Sequence, residues 1–252
     1  MVVFTGSTVE EAIQAATGGD TECMFQLGNY YATQEKEYDE AQKWYLNGAK
    51  AGDTRCMALA ASMGTILACS KLKVAGGSVA AECIQELKEC LSWSKKASVN
   101  GMENDSTGIE EELGVAYYLA FLHERDTGKT EYLYQAEELL KAHNPSQHAE
   151  YRMYLAFTLH DKLRLENGLN GEETALLFNL LKDCAMNHRT ELAHGDLVCY
   201  YLGDAYLKGQ ICQRDDNLAY QWMSTAQQMG FDCHEMLDCF KKKLFGGYVF
   251  QG

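Results

Sequence analysis

Leu202-Gly203-Asp204-Ala205-Tyr206 with Gly209 and Asp215, then Ala219-Tyr220-Gln221-Trp222-Met223-Ser224-Thr225-Ala226-Gln227-Gln228-Met229-Gly230, is the stretch whose reading decides the fold. Its small and apolar residues recur at three- and four-residue intervals on both sides of a glycine-bearing turn. That spacing places them on one face of each of two successive helices. A small residue such as Gly203 lets two helix backbones approach closely, and the large residue one turn away fills the space beside the contact. Gly230 suits the left-handed stop at a helix C-terminus.

The same letters recur along the chain. Ala41, Trp44, Ala49 and Gly52 form one copy, and Cys90, Trp93, Ala97 and Gly101 another, so all three tryptophans fall on one pattern. Trp44 and Trp93 are 49 residues apart, and Trp93 and Trp222 are 129 apart, three periods of 43. Two further units therefore lie between, with apolar anchors near Leu139 and Phe178. The first-helix signature recurs as Leu27-Gly28 with Tyr31 and Leu113-Gly114 with Tyr117, with weaker copies at Leu155-Ala156 and Ala60-Ala61. Gly19-Asp20-Thr21-Glu22-Cys23-Met24 is nearly repeated 33 residues later as Gly52-Asp53-Thr54-Arg55-Cys56-Met57.

Helix pairs of this kind cannot bury their apolar faces alone and must stack on their neighbours. The expectation is all-α: one domain forming a right-handed α-α superhelix (solenoid) of about five helix-turn-helix repeats, over 22–51, 55–100, 109–142, 147–188 and 195–229. An N-terminal lone helix is expected over 8–17, opened by a Thr8-x-x-Glu11 capping box. A C-terminal capping helix is expected over 232–244, with Lys241, Lys242 and Lys243 suiting its end. The apolar tail from Phe245 is expected to pack across the last helix.

Composition agrees. One proline in 252 residues argues against a turn-rich sandwich or barrel. By this reading no apolar run approaches the ~20 residues of a membrane span. The start, Met1-Val2-Val3-Phe4-Thr5-Gly6, has no basic region and no long apolar run, so a cytoplasmic location is expected. The ten cysteines include no Cys-x-x-Cys pair and sit mostly where alanine recurs, which reads as small buried thiols in a reducing compartment. A net charge of −14 argues against nucleic acid and favours a basic partner. Charge is uneven: residues 101–150 hold 11 acids against 3 bases, while 51–100 hold 4 acids against 6 bases. The acidic stretch Gly101-Met102-Glu103-Asn104-Asp105 is an insertion relative to the best-matching units.

Taken together, the motifs resemble the Sel-one-like repeats, relatives of the tetratricopeptide repeats. Their pattern is Leu-Gly-x-x-Tyr, a glycine-rich turn, an Asp, then Ala-x-x-Trp-x-x-x-Ala-Ala-x-x-Gly. The last unit matches best, at Leu202, Gly203, Tyr206, Gly209, Asp215, Ala219, Trp222, Ala226 and Gly230; the first matches nearly as well, and the middle three are degenerate. The resemblance spans nearly the whole chain. It implies a non-enzymatic scaffold or adaptor that needs no cofactor or metal and binds a protein or peptide. Some secreted members resemble β-lactamase-like proteins, but those carry a regular disulfide in each repeat, a pattern that this chain lacks.

By analogy with tetratricopeptide repeats, residues two and one before the Leu of Leu-Gly, and two and five after it, face the concave groove. The analogy names Phe25 and Asn29 in the first unit and Glu111, Glu112 and Tyr118 in the third. In the fourth it names Tyr154, Phe157 and His160, and in the fifth Tyr200, Tyr201 and Asp204. Tyrosine combines a large apolar face with a polar tip, as binding surfaces favour, and carboxylates beside it suit a peptide carrying Arg or Lys. The same tyrosines also read as packing between neighbouring units. The alternative functions are an immunity or inhibitor protein for a basic partner, or a hydrolase with a metal or cysteine site. None of the seven histidines forms His-Glu-x-x-His; a zinc set can be drawn from His188, His194 and Cys184 or Cys199.

Overall fold

Thr8 opens the first helix by the expected box: its hydroxyl accepts the Glu11 N–H (3.3 Å) and the Glu11 carboxylate accepts the Thr8 N–H (3.0 Å), starting α1 (Val9–Thr17). Asp20 and Asp53, the shared residue of the two near-identical copies, repeat one device. Each accepts the N–H three residues on, from Cys23 and Cys56, at 3.0 Å, and so caps α2 (Thr21–Tyr30) and α4 (Thr54–Ala75). Between them lies α3 (Tyr38–Lys50). The glycines that the sequence marks as helix stops are left-handed, with φ of +98° at Gly52 after α3, +87° at Gly101 and +112° at Gly230.

The structure, a computed structural model, describes residues 8–102, 106–127, 129–144, 146–244 and 246–252. Glu103, Asn104 and Asp105 of the acidic insertion, Phe245 of the tail and the first seven residues lie outside the described residues. The chain divides into two units, Met1–Leu139 and Leu140–Gly252. In the first, α5 (Ala80–Val99) and α6 (Thr107–His123) follow α4, and α7 (Glu131–Ala142) runs across the boundary. From α1 to α6 each helix packs on the one before and the one after it, the neighbour-on-neighbour arrangement of a helical repeat stack. In the second unit α8 (Ala149–Glu166), α9 (Gly171–Asp183), α10 (Gly195–Lys208) and α11 (Asp216–Met229) pack in the same sequential way.

The Leu-Gly motif has a specific job. A Cβ on Gly28 would come within 2.4 Å of the Tyr45 ring, and one on Gly203 within 2.8 Å of Met223 Cγ. Tyr45 and Met223 each follow the repeat tryptophan, so the first helix of a pair receives, at its glycine, the residue after the tryptophan of the second. Tyr45, Ser94 and Met223 are buried, whereas Trp44, Trp93 and Trp222 are half-buried at the edge of the contact. Leu27, Leu113, Leu155 and Leu202 are all buried.

The C-terminus corrects one expectation. In place of a helix over 232–244, α12 covers His234–Asp238 only, and Lys241 and Lys242 stand on a strand. β1 (Phe240–Lys242) pairs antiparallel with β2 (Tyr248–Phe250), Phe240 opposite Phe250. Gly246 and Gly247, with φ of +89° and +81°, supply the turn. Ring contacts outweigh helix propensity: Tyr248 stacks on Tyr220 of α11 at 3.6 Å, and Phe250 packs against Phe240 at 5.2 Å. Asp216 and Asn217, in the first turn of α11, accept the Phe250 and Tyr248 N–H groups.

A second correction concerns apolar length. A stretch within 54–99 is long and apolar enough, by composition, to cross a bilayer. Its buried residues include Cys56, Ala60, Ala61, Gly64, Ala68 and Leu72 of α4, which packs against α3 and α5; 39% of the apolar window is buried.

An ionic triad around a buried carboxylate fastens the second unit. Glu173, 7% exposed, accepts from Lys141 (2.8 Å) and Lys162 (2.9 Å). Removing its carboxylate takes this partner from Lys162, whose side chain is 13% exposed, and from Lys141, which keeps 34% of its side chain in solvent. Glu173→Ala is therefore expected to cost about 1–3 kcal/mol, less than for a fully buried pair, read from the urea midpoint. Gly28→Ala and Gly203→Ala should each cost about 1–3 kcal/mol by overpacking, although alanine outranks glycine in a helix by about 1 kcal/mol. Gly171→Ala, where a Cβ meets nothing within 4 Å, should leave stability unchanged or raise it.

Candidate functional site

On α2, the two named residues are occupied by the chain itself. Asn29 Oδ1 accepts from the Tyr45 hydroxyl at 2.9 Å, and burial pushes that phenol up to about 12. Phe25 lies 4.3 Å beneath the Arg55 guanidinium, which donates to Asp53 (2.7 Å) and Glu22 (2.8 Å). The cation expected from a partner is thus already supplied by the next repeat. Hydrogen bonds from Arg55 and Gln26 hold Glu22 below the usual carboxylate range. Burial raises Asp53, but the Arg55 guanidinium and the Cys56 N–H outweigh it and the net shift is downward.

On α6, Glu111 and Tyr118 are each 4% exposed, too little to contact a partner as they stand. Tyr118 packs near Phe121, ring centroids 6.3 Å apart. Glu112 is half-buried beside Cys69, whose thiol is raised by burial first and by this carboxylate second.

The second unit gathers its named residues into one cluster. Tyr154, Phe157 and His160 recur every three residues on α8, and Tyr200, Tyr201 and Asp204 lie on α10. Phe157 is 3% exposed and central, with the rings of Tyr201 at 5.6 Å and of Tyr154 and His194 at 6.4 Å. His160 stacks on Tyr201 at 3.9 Å and 18°. Tyr200 packs on Phe231 at 4.4 Å, and burial, then Asp204, raises its phenol. Phe157, His160 and Asp204 are buried, Asp204 against Lys208 at 2.8 Å. Tyr154, Tyr200 and Tyr201 are half-buried, so part of each side chain stays accessible. The repeat analogy misses Phe231 and His194; Phe231 directly follows the helix-stopping Gly230, a place where an apolar residue often packs back on its own helix.

The cluster offers little to catalysis. The cavity bordered by His160, Arg164, Tyr201 and Lys208 has about 30 Å³, room for a water or two. Among the described residues no three His, Cys, Asp or Glu side chains converge on a point. In the zinc set drawn from the sequence, His188 contacts Arg152 at 2.9 Å, His194 lies beside Phe157, and Cys184 and Cys199 are buried. Burial pushes the Cys56 thiol up to about 12 and Cys90, Cys184 and Cys199 to about 11, the opposite of what a nucleophile needs.

No family model matches the sequence, and no curated protein matches it. Among solved structures, the chain is similar to Sel1 repeat proteins. One is a protective antigen of uropathogenic Escherichia coli strains displaying an SLR fold, at 19% identity and a TM-score of 0.42. The match covers 90% of this chain, which spans about half (50%) of that one. A sel1 repeat protein from Klebsiella pneumoniae matches at 18% identity and 0.27, covering 92% of this chain and 98% of that one. A Sel1 repeat protein from Oxalobacter formigenes matches at 16% and 0.26, covering 91% and 79%.

Two outcomes follow from the local chemistry. Thiol titration of the folded chain at pH 8 should label the buried Cys56, Cys90, Cys184 and Cys199 far more slowly than the same chain in guanidinium; one hyper-reactive thiol among them would contradict the burial. Asp53 and Glu22, lowered in the folded chain, add stability that is present above about pH 4 and lost as pH falls through their folded values. Arg55→Ala should therefore lower the urea midpoint at neutral pH, and the difference from the native chain should shrink below about pH 4.

Proposed function

We propose that this chain is a non-catalytic scaffold that binds a protein or peptide on the α8–α10 aromatic face. The observation that supports this reading is the row of half-buried, partly accessible tyrosines, Tyr154, Tyr200 and Tyr201, backed by buried Phe157 and stacked His160. Rings already fixed by packing lose little further freedom on binding, so their apolar faces and phenol tips are available at low entropic cost. The partner is basic on this reading. With a net charge of −14 the chain steers cationic surfaces toward itself, an effect that added salt weakens. The same charge suits an inhibitor dedicated to one basic protein; that reading differs in demanding a single tight, salt-sensitive partner.

The test is affinity capture from the native lysate at low and high salt, with mass spectrometry of the retained proteins. The native chain is compared with a Tyr154→Ala/Tyr200→Ala/Tyr201→Ala variant whose helicity and cooperative unfolding are checked first. Loss of a basic protein by the folded variant, together with weaker capture at high salt, is the expected result. Equal retention by both chains would move the binding surface away from α8 and α10.

A further inference from the structure

The first unit holds a surface that the repeat analogy does not reach. Lys88, Leu91, Ser92, Lys95, Lys96 and Val99 recur at three- and four-residue steps along α5, and with Met57 and Asn100 they border an open cleft of about 600 Å³. α5 is the second helix of its pair, so this cleft is separate from the first-helix face discussed above. Val99 is 87% exposed beside the lysines, and the Asn100 amide reaches Met57 Sδ at 3.8 Å across the floor. Lys95 pairs with Glu110 at 3.0 Å. Lys88 lies over the Tyr117 ring and Lys96 over Trp93, and neither has a carboxylate partner among the described residues. Lys96, in the last turn, is accounted for by the helix dipole; Lys88, three turns from the end, is not.

The geometry points to this cleft as a docking site for an acidic peptide segment of another protein, one that sets apolar side chains against Leu91, Val99 and Met57 and carboxylates against Lys88 and Lys96. Charge complementarity carries the choice of occupant. At physiological salt, charges act over about 8 Å, so Lys88 and Lys96 beside a shallow apolar floor govern what binds there in spite of the acidic whole, while Lys95 is offset by Glu110. Helical stripes of this spacing take amphipathic segments with anchors on one face. A second copy of the chain would bring its own net charge of −14 and be repelled as a body. Nucleic acid would bring a continuous run of phosphates toward the same acidic molecule.

The test uses the full chain and an array of peptides of about 12 residues, pairing Glu or Asp with Leu or Phe anchors at varied spacing, each beside its lysine-for-acid counterpart. The best acidic peptide, fluorescein-labelled, is then titrated by polarisation. The native chain should select acidic over basic peptides. Lys88→Glu/Lys96→Glu should lose at least about tenfold in affinity, and Val99→Asp a comparable amount, with unfolding midpoints little changed because all three side chains are exposed. No acidic selection, or equal binding by the variants, would overturn the proposal. So would a concentration-dependent dimer in light scattering that Val99→Asp abolishes, or a single-stranded oligonucleotide that outcompetes every peptide. Because the tyrosine variant of the α8–α10 face leaves α5 intact, failure here and failure there are separately visible.

Discussion

Everything in both units depends on how closely two helix backbones can come. Where Gly28 admits Tyr45 and Gly203 admits Met223, the side chain of one helix sits where a neighbour's Cβ would otherwise be. The same accommodation recurs, once between pairs and once within one. Gly48 admits Cys56 of the following helix, and Gly64 admits Cys90. This explains Cys56 and Cys90 in packing terms: at these contacts the chain needs something larger than glycine and smaller than leucine, and a buried thiol is such a group. The raised thiol values follow from the same burial.

That constraint also shapes what the surface can do. A helix whose inward face is committed to small residues and their fillers has its remaining faces for recognition. On α8 and α10 the division is incomplete, because the aromatic residues serve both purposes. Phe157 and His160 are spent inside the cluster, and the tyrosines that lean on them keep an outward edge. Packing between helices and presentation to a partner are therefore two aspects of one cluster. In the first unit the balance falls the other way: Asn29, Phe25 and Tyr118 are engaged by Tyr45, Arg55 and the helix interior.

Most of the helical framework was legible because its signals are local and recur. Leu202-Gly203, the aspartate caps and the left-handed glycines each state a backbone requirement that does not depend on distant residues. The position of the tryptophans was legible as a period but not as a role, since pattern alone does not tell the core position from the one beside it. The terminal hairpin was misread because three lysines after an apolar stretch look like a helix end, while the deciding contact, Tyr248 on Tyr220, joins residues 28 apart. The Gly246-Gly247 pair between two apolar runs was the available clue. The site was legible as a set of aromatic positions, but their burial was not. Whether a ring faces outward depends on Phe231 and His194, which lie outside the repeat positions that the analogy reads.

The bridge between Glu22 and Arg55 has a consequence for chain assembly. These residues hold the same place in two nearly identical segments, and they differ in sign. Were both segments to carry glutamate, consecutive copies would repel; as they stand, each is complementary to the other and to neither duplicate of itself. Near-repeated sequence invites a chain to fold out of register by one period. A single charge reversal between copies disfavours that slip, by the modest amount that an exposed ion pair contributes, because the shifted register would set like charges together.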